Sequence, residues 1–321
     1  MTIFITGVAG FLGSNLAAIL LARGDTVAGF DNLSRGTLTN LQSIATHPRF
    51  RFEAVDLADI DAYRRALRKL HETSPVSEVW HMAANSDIPA GIADPATDLR
   101  DTFMTTYNTL LLMKELGIGT IAFASSSAVY GDLGDRILTE DTGPLFPISN
   151  YGAMKLASEA IITAALESYL DRAFVFRFPN VVGVPATHGV ILDFVRKLKA
   201  TPENLNVLGD GTQRKSYLHG DDLLDAMLHI RDHAPDKLGY FNIGPDDEGV
   251  TVKVIAEAVV ARVSPQARIT YGQGNKGWIG DVPKFAYSTA KLSKLGWRPR
   301  LGSAAAIRKA VDQVAQQESG K

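Results

Sequence analysis

The 321-residue sequence contains no cysteine, so disulfides, thiolate metal ligands and cysteine nucleophiles are excluded. No other metal site is predicted. The charge is nearly balanced, and a formal net charge of −2 gives no bulk attraction for nucleic acid or for an anionic membrane. No apolar run approaches the ~20 residues that span a bilayer, and the first apolar run has no basic segment before it. These absences predict a cytoplasmic protein without nucleic-acid or membrane partners.

Hydrophobic residues make up 45% of the chain, which is enough for one large domain and a second, smaller one. Up to residue 178, strand-like and helix-like segments alternate. This alternation predicts an α/β fold of the Rossmann type with a doubly wound parallel sheet. Beyond residue 178 the strands become shorter and the turns denser. We therefore expect a first domain over residues 1–178 and a smaller α/β C-terminal domain over residues 179–321, with the chain crossing back to the first domain.

A glycine-rich turn follows the first predicted strand, Thr2–Thr6, and precedes a helix predicted over Ser14–Ala22. The turn reads Gly7-Val8-Ala9-Gly10-Phe11-Leu12-Gly13, with the spacing G-x-x-G-x-x-G. Small residues let the backbone approach a pyrophosphate, and the start of the helix supplies N–H groups and a positive dipole end. The turn therefore predicts dinucleotide binding, and the alternative is a plain tight turn between strand and helix.

Polar and small residues stand at the ends of the next predicted strands. Asp31-Asn32-Leu33-Ser34 follows the second strand, where a carboxylate can take both ribose hydroxyls of an adenosine and repel a 2′-phosphate. This favours NAD over NADP, and Arg35 is the only nearby indication of the reverse; the alternative for Asp31 is a turn-forming residue. Asp56-Leu57 follows the third strand, where an adenine edge could be met, and Met82-Ala83-Ala84 follows the fourth. His81, which ends the fourth strand, is predicted to be a packed histidine rather than a catalyst.

Ser125-Ser126-Ser127 ends the fifth predicted strand, and Tyr151 and Lys155 lie four residues apart on one face of a later helix. A free tyrosine titrates near ~10, and a base that works at neutral pH needs a pKa roughly three units lower, or about 4 kcal/mol. A close lysine charge, a cationic cofactor ring and a hydroxyl hydrogen bond could supply this together. Taken alone, the pair could equally belong to an ordinary amphipathic helix.

Together these motifs resemble the extended short-chain dehydrogenase/reductase family. Within that family they resemble the NAD-dependent sugar-nucleotide epimerase/dehydratase group, and most closely the UDP-hexose 4-epimerases. The resemblance runs almost from end to end of the chain. It also includes the following motifs: Tyr130-Gly131, Arg177-x-x-Asn180, Gly209-Asp210-Gly211, Asp221-Asp222, Asn242-Ile243-Gly244 and Gly280-Asp281-Val282-Pro283.

The resemblance implies an NAD-binding first domain and a second domain that mainly binds a nucleotide sugar. Tyr151 is then the base for the sugar 4-hydroxyl, Lys155 lowers the pKa of Tyr151 and holds the nicotinamide ribose, and Ser126 hydrogen-bonds the 4-oxygen. The sugar passes through a transient 4-keto form without net redox change. The implied cofactor-binding residues are Gly7, Gly10, Phe11, Leu12, Gly13, Asp31, Asn32, Ser34, Asp56, Leu57, Ala83, Ala84, Tyr151, Lys155 and Pro179. The implied substrate-binding residues are Ser127, Asn180, Val190, Arg214, Lys215, Trp278 and Asp281.

Departures from the family pattern decide between reactions. Dehydratases of the family carry Asp-Glu directly after the catalytic Ser or Thr, whereas this chain has Ser127 and Ala128. Epimerisation or reduction of a 4-keto nucleotide sugar remains, and a non-catalytic NAD-binding protein is less favoured because Tyr and Lys are both present. Lys215 and Trp278 stand where arginines are usual, which leaves the nucleotide and the sugar open, including non-UDP nucleotide sugars. A bulky Phe285 favours the plain hexose over N-acetylated sugars.

Two long helices, predicted over Pro95–Leu116 and Asn150–Leu170, carry apolar residues on more than one face. Such faces suit helix-to-helix contact between two copies of the chain as well as packing on the sheet. The sequence therefore predicts a homodimer formed through these two helices.

Overall fold

A computed structural model describes residues 1–134, 136–274 and 288–320. The chain forms two compact units, each built from segments that are separate in sequence. The first unit comprises Met1–Val129, Pro147–Arg177 and Ile230–Tyr240. The second unit comprises Tyr130–Phe146, Phe178–His229 and Phe241–Lys321.

The strands are short, and none exceeds six residues in the part of the chain that the structure describes. They are β1 Thr2–Thr6, β2 Thr26–Asp31, β3 Phe50–Ala54, β4 Val76–His81, β5 Thr120–Ala124, β6 Arg172–Arg177, β7 Asn180–Val182, β8 Asn204–Val207, β9 Arg214–Lys215, β10 Tyr217–His219, β11 Leu238–Asn242, β12 Val250–Thr251 and β13 Arg268–Tyr271.

The helices vary more in length, from four to nineteen residues. They are α1 Phe11–Ala22, α2 Ile60–Thr73, α3 Ile88–Ala93, α4 Pro95–Asp98, α5 Thr105–Leu116, α6 Asn150–Ser168, α7 Val190–Ala200, α8 Gly220–His233, α9 Val252–Val263, α10 Ala290–Lys294 and α11 Ser303–Ser319. Short 3-10 turns span Leu38–Leu41 and Ser127–Tyr130, and a π-helical turn spans Leu99–Met104. Among the described residues, no helix is long and apolar enough to cross a membrane.

A seven-stranded sheet organises the first unit, in the order β11-β6-β5-β4-β1-β2-β3. The pairs from β6 through to β3 are all parallel. Strand order reverses between β1 and β4, and this reversal is the point at which ligands bind in sheets of this type. The predicted doubly wound parallel sheet is confirmed.

One face of this sheet is covered by α2, α5 and α6. The buried cluster beneath them includes Phe4 and Phe123 from the sheet, and Tyr63, Met113 and Ile162 from the helices. Because parallel strands are covered by helices, their sequences read as nearly continuous apolar runs, which is why periodicity located β1, β4 and β5 at their observed bounds.

The second unit contains three two-stranded sheets with helices packed on them. β7 pairs with β10 and β8 with β13, both in parallel, while β9 and β12 are antiparallel. Its core comes mainly from α7, α9 and α11, with Leu198, Ile255 and Ile307 at its centre. The strands β7, β9, β10 and β12 were not predicted, because runs of two or three residues carry no periodicity.

The prediction of one continuous helix over Pro95–Leu116 is wrong in its middle. The backbone forms α4, widens into the π-helical turn Leu99–Met104 and then continues as α5. Threonine hydroxyls bond back to the carbonyls of this turn: Thr105 Oγ1 donates to Asp101 O (3.0 Å) and Thr106 Oγ1 to Thr102 O (2.9 Å). Such back-bonding competes with the regular helical pattern and bends helices.

Candidate active site

The glycine turn after β1 has no room for larger side chains. Gly7 has a φ of +68°, and a Cβ there would lie 2.9 Å from the backbone of Ala83. A Cβ on Gly13 would lie 2.2 Å from Gly7 O, closer than any real contact. Two segments predicted to bind the cofactor, the turn and the end of β4, therefore lie against each other.

The N-terminus of α1 leaves donors for an anion. Gly10 precedes the helix with extended backbone and offers no side-chain cap, and the first α-helical bond runs from Ser14 N to Gly10 O (3.1 Å). The N–H groups of Phe11, Leu12 and Gly13 precede that bond, and such groups form a ready anion site at a helix start. The turn thus fits a dinucleotide pyrophosphate in both space and donors.

Replacing Gly13 with Ala is expected to abolish NAD binding, because the new methyl group would push Gly7 O and the turn out of place. The bound cofactor should be measured by mass spectrometry and absorbance of the purified variant. Gly320→Ala is the matched control, since a Cβ there meets nothing within 4 Å. Full NAD occupancy in Gly13→Ala would contradict the assignment of the turn.

Asp31 is fixed by the same turn. Its Oδ2 accepts from Ala9 N (3.0 Å) and its Oδ1 from Leu33 N (2.8 Å). Burial raises the pKa of this carboxyl, while the two backbone N–H groups act in the opposite direction. Arg35, the one indication of NADP, lies in an ion pair with Asp87 at 2.6 Å. Asp31 is therefore both a turn-forming residue and a carboxylate held at the end of β2.

The remaining predicted adenosine contacts occupy turns after β2 and β3. Asn32 Oδ1 accepts from Ser34 Oγ (2.7 Å), and Asp56 Oδ1 accepts from Ala58 N (3.0 Å). Leu57 is buried, and its carbonyl accepts from Asn108 Nδ2 at 2.8 Å. Because β2 and β3 are neighbours in the sheet, these turns lie at one edge of it.

Ser126, Tyr151 and Lys155 are brought together by the end of β5 and the start of α6. The Ser126 side chain is near enough to the Tyr151 hydroxyl to act on its pKa. Lys155 Nζ lies 5.8 Å from the centroid of the Tyr151 ring and donates to Ala124 O at 2.6 Å. Tyr151 and Lys155 are four residues apart on α6, so helical geometry places them on the same face, as observed.

Local sequence explains how closely α6 approaches this strand end. Ser149 caps the helix, with its Oγ accepting from Gly152 N at 3.1 Å. A Cβ on Gly152 would lie 2.5 Å from Ala128 O, so only glycine lets the turn after Ser126 pack against the helix. Ser127, predicted to contact substrate, begins that turn and is half-buried.

Burial has the largest effect on the pKa values of Tyr151 and Lys155. It raises the pKa of Tyr151 to about 12, while the Ser126 hydrogen bond acts to lower it. Burial also lowers the pKa of Lys155 to about 7, with Glu159 and Asp98 opposing that change. The chain's own groups therefore hold Tyr151 as a phenol at neutral pH. The lower pKa that the sequence analysis expects for Tyr151 depends on a cationic cofactor ring in addition to the lysine charge and the serine hydroxyl.

His81 is a packed histidine, as expected. It is fully buried, with Nδ1 2.8 Å from Thr6 Oγ1 and Nε2 3.0 Å from Thr106 Oγ1. Thr106 donates its hydroxyl proton to Thr102 O, so it accepts from Nε2–H of a neutral imidazole. Burial lowers the pKa of His81 to about 3, and the Lys155 charge adds to that effect.

The buried His81 makes stability depend on acid pH. Its folded pKa of about 3 lies below the ordinary histidine value of 6.5, so the unfolded chain binds more protons between these values. Stability is fully present above pH 6.5 and is lost as the pH falls toward 3. We expect wild type to lose about 3 kcal/mol between pH 7 and 4.5 through this residue, measured by urea unfolding. The His81→Gln variant should not show this loss of stability between pH 7 and 4.5. The control variant His188→Gln, changed at an exposed histidine, should show the same loss as wild type.

Asp98 is a neighbour of the site that the sequence analysis missed. It is fully buried, and Asn85 Nδ2 donates to its Oδ1 at 2.8 Å. Its Oδ2 finds no hydrogen-bond partner among the described residues, and burial raises its pKa. No pattern in the sequence distinguishes this residue from an ordinary acidic residue in the first turn of a helix.

The predicted substrate-binding residues of the second unit lie at the start of a strand, at the start of a helix and in one two-residue strand. Asn180 is exposed at the start of β7, directly after buried Pro179, and Val190 begins α7. Arg214 and Lys215 form β9, and Arg214 Nη1 donates to Gly249 O at 3.3 Å. The other predicted residues, Trp278, Asp281 and Phe285, lie outside the described residues.

Comparisons with known proteins agree with this arrangement. A sequence model of the NAD dependent epimerase/dehydratase family matches residues 3–244. The UDP-glucose 4-epimerase of Mycolicibacterium smegmatis is 30% identical over 323 residues, covering 97% of this chain and 98% of that protein.

Solved structures extend the similarity to the fold. A UDP-galactose 4-epimerase has a TM-score of 0.86 at 33% identity, with 99% of each chain covered. The UDP-glucose 4-epimerase of Thermus thermophilus, solved in complex with NAD, has a TM-score of 0.84 at 30% identity, with 98% of this chain and 99% of that chain covered.

Proposed function

Because the chain belongs to the NAD-dependent epimerase/dehydratase family, we propose that it is an NAD-dependent nucleotide-sugar 4-epimerase of the UDP-glucose/UDP-galactose type. The similar proteins described above are UDP-glucose and UDP-galactose 4-epimerases. The observation that carries the proposal is that Ser126, Tyr151 and Lys155 lie together, with Ser127 and Ala128 rather than acids directly after Ser126.

In this proposal Tyr151 is the acid/base. Its hydroxyl takes the proton of the sugar 4-hydroxyl and later returns it, while Ser126 hydrogen-bonds the same oxygen. Lys155 stabilises the phenolate through its charge and binds the nicotinamide ribose. When bound, NAD supplies a reversible hydride acceptor, so the sugar passes through a transient 4-keto form with no net redox change. The first unit would hold NAD through its glycine turn and Asp31.

Positions 127 and 128 carry no acid that could catalyse the elimination of water. Ser127 and Ala128 occupy the positions where dehydratases of the family carry their acids, and neither a neutral hydroxyl nor a methyl group can exchange protons at neutral pH. The dehydratase reaction is therefore not proposed.

The second unit would bind the nucleotide diphosphate. Asn180, Arg214 and Lys215 supply an amide and two cations, and a bidentate arginine suits planar phosphate recognition better than a lysine does. Val190 at the start of α7 would contact the sugar nucleotide. The roles of Trp278 and Asp281 stay predictions from the sequence.

We further propose that the protein forms a homodimer through α5 and α6. Leu99 and Tyr107, 49% and 48% exposed, place apolar surface along the segment leading into α5. A second copy that packed there would bury it. Light scattering during size-exclusion chromatography should give twice the 34.6 kDa of one chain. A monomer at micromolar concentration would contradict this. The cytoplasmic location stays a prediction.

The direct test of function is to incubate the purified protein with UDP-galactose and follow UDP-glucose by chromatography. Conversion should proceed without added cofactor, because an epimerase recycles its NAD. A parallel reaction with a 4-keto nucleotide sugar and added NAD(P)H, followed by absorbance at 340 nm, tests the alternative, a 4-keto reductase, which would consume NAD(P)H in proportion to product. Failure to convert any UDP-, GDP-, CDP- or dTDP-hexose would refute the proposal.

A further inference from the structure

Two residues of α6 contact the end of β5 directly. Lys155 donates to the carbonyl of Ala124, and the Tyr151 hydroxyl lies near enough to the Ser126 side chain for it to act on the tyrosine's pKa. Ser125 lies between these two contact points and has no part in the proposed chemistry. Its side chain is fully buried, so its hydroxyl must find a partner within the protein.

That partner is Glu159, one helical turn beyond Lys155. Glu159 Oε1 accepts from Ser125 Oγ at 2.5 Å. The same carboxylate binds Arg177 at the end of β6 in a two-pronged contact, with Nε to Oε1 at 3.0 Å and Nη2 to Oε2 at 2.6 Å. The two charged side chains are 9% and 10% exposed. Glu159 therefore ties α6 to the ends of two neighbouring strands.

The charges around Lys155 give Glu159 a second effect. Lys155 is 2% exposed, and burial disfavours its ammonium form. Two carboxylates favour that form: Glu159 on the same helix and Asp98 on α4. On β4, His81 is neutral near pH 7 and adds no charge, and Arg177 forms an ion pair with Glu159.

We propose that Glu159 is a positioning residue for the epimerase site, which holds Ser126 and Lys155 in place through Ser125 and keeps a buried carboxylate one helical turn from Lys155. This inference rests on the proposed function, since the register of these side chains matters for chemistry at Tyr151. The fold alone does not require the pair, because buried ion pairs can often be replaced by apolar residues without loss of stability.

Glu159→Gln tests the charge. The amide can still accept from Ser125 but no longer offsets the burial of Lys155. We expect the midpoint of the Lys155 Nζ titration, followed by NMR of carbon-13-labelled lysine, to fall by about one pH unit. The alkaline limb of the kcat profile should move down in pH by a similar amount, and Glu159→Asp should restore part of both. Glu167→Gln, the same change at an exposed site on α6, should change neither.

Ser125→Ala tests whether Glu159 positions Ser126 and Lys155 through Ser125, since this change leaves every charge in place. We expect kcat to fall by a factor of about 3–10, with KM changed less than twofold and the pH profile unmoved. Should Glu159→Gln fail to fold because Arg177 is left without its carboxylate, Glu159→Met combined with Arg177→Met removes both charges together. A smaller fall in the Lys155 midpoint is expected there, because the cation of Arg177 is removed together with the carboxylate.

An unchanged Lys155 midpoint in the charge variants, or a wild-type kcat in Ser125→Ala, overturns the inference. The titration needs no substrate, so it distinguishes the two proposals. If wild type converts no nucleotide sugar while the midpoint falls, the proposed function fails and the effect of Glu159 on Lys155 stands. If wild type is active while the midpoint and kcat stay constant, only the positioning inference fails.

Discussion

Replacing Tyr151 with Phe is expected to lower kcat for epimerisation by about 10²–10⁴-fold, the usual contribution of a positioned acid/base. The change removes one oxygen and keeps the ring, whose centroid lies 5.8 Å from Lys155 Nζ. Ser126 then loses its partner on the phenol. Since no contact in the glycine turn is altered, the variant should bind as much NAD as wild type.

The measurement is kcat with UDP-galactose alongside the NAD content of each preparation. Tyr107→Phe is the matched control, because Tyr107 is 48% exposed and lies on α5, and its activity should equal that of wild type. Turnover of Tyr151→Phe within a few-fold of wild type would show that another group is the base. Loss of NAD together with activity would show instead that the hydroxyl supports the cofactor.

Local patterns predicted most of the first unit and placed Tyr151 and Lys155 on one helical face, whereas only the family resemblance singled out Ser126 from the three serines. Residues four apart on a helix must share a face, so the contact of Lys155 with the Tyr151 ring follows from spacing alone. The glycine turn could also be predicted from local sequence, because its strand, turn and helix follow one another along the chain. Asp31 was located at its strand end, although its bonds to Ala9 and Leu33 required the structure.

What the sequence could not provide depends on contacts between distant segments. Glu159 meets Ser125 across 34 residues, and Asn85 meets Asp98 across 13. Each of these carboxylates occurs in a helix where an exposed acid is the ordinary expectation. The widened turn at Leu99–Met104 was missed because its cause is hydroxyl back-bonding, which leaves the apolar periodicity almost unchanged.

Replacing Lys155 with Met is expected to abolish turnover while making the fold more stable. Lys155 is buried, and its pKa of about 7 lies below the ordinary lysine value of 10.5. The unfolded chain therefore binds more protons between pH 7 and 10.5, and burying the lysine costs stability at every pH below 10.5. That cost is largest at and below pH 7, where it is on the order of 4 kcal/mol.

Methionine fills a similar volume without a charge, so it removes that cost. It also deletes the bond from Nζ to Ala124 O, worth about 1 kcal/mol, and leaves that carbonyl without its donor. The net gain should be about 2 kcal/mol at pH 7, measured by urea unfolding. Turnover should fall by at least about 10²-fold, because the charge beside Tyr151 is gone.

The pH dependence identifies the cause of the gain. Because the cost in wild type disappears as the pH rises from 7 to 10.5, the advantage of Lys155→Met should shrink over the same range. Lys69→Met, at an exposed position of α2, should leave both stability and turnover near wild type. A variant less stable than wild type at pH 7, or an advantage that is constant with pH, would contradict a burial cost at Lys155. If both expectations hold, the site retains a lysine that the fold would be more stable without, which is the trade-off between stability and activity expected of a catalytic group.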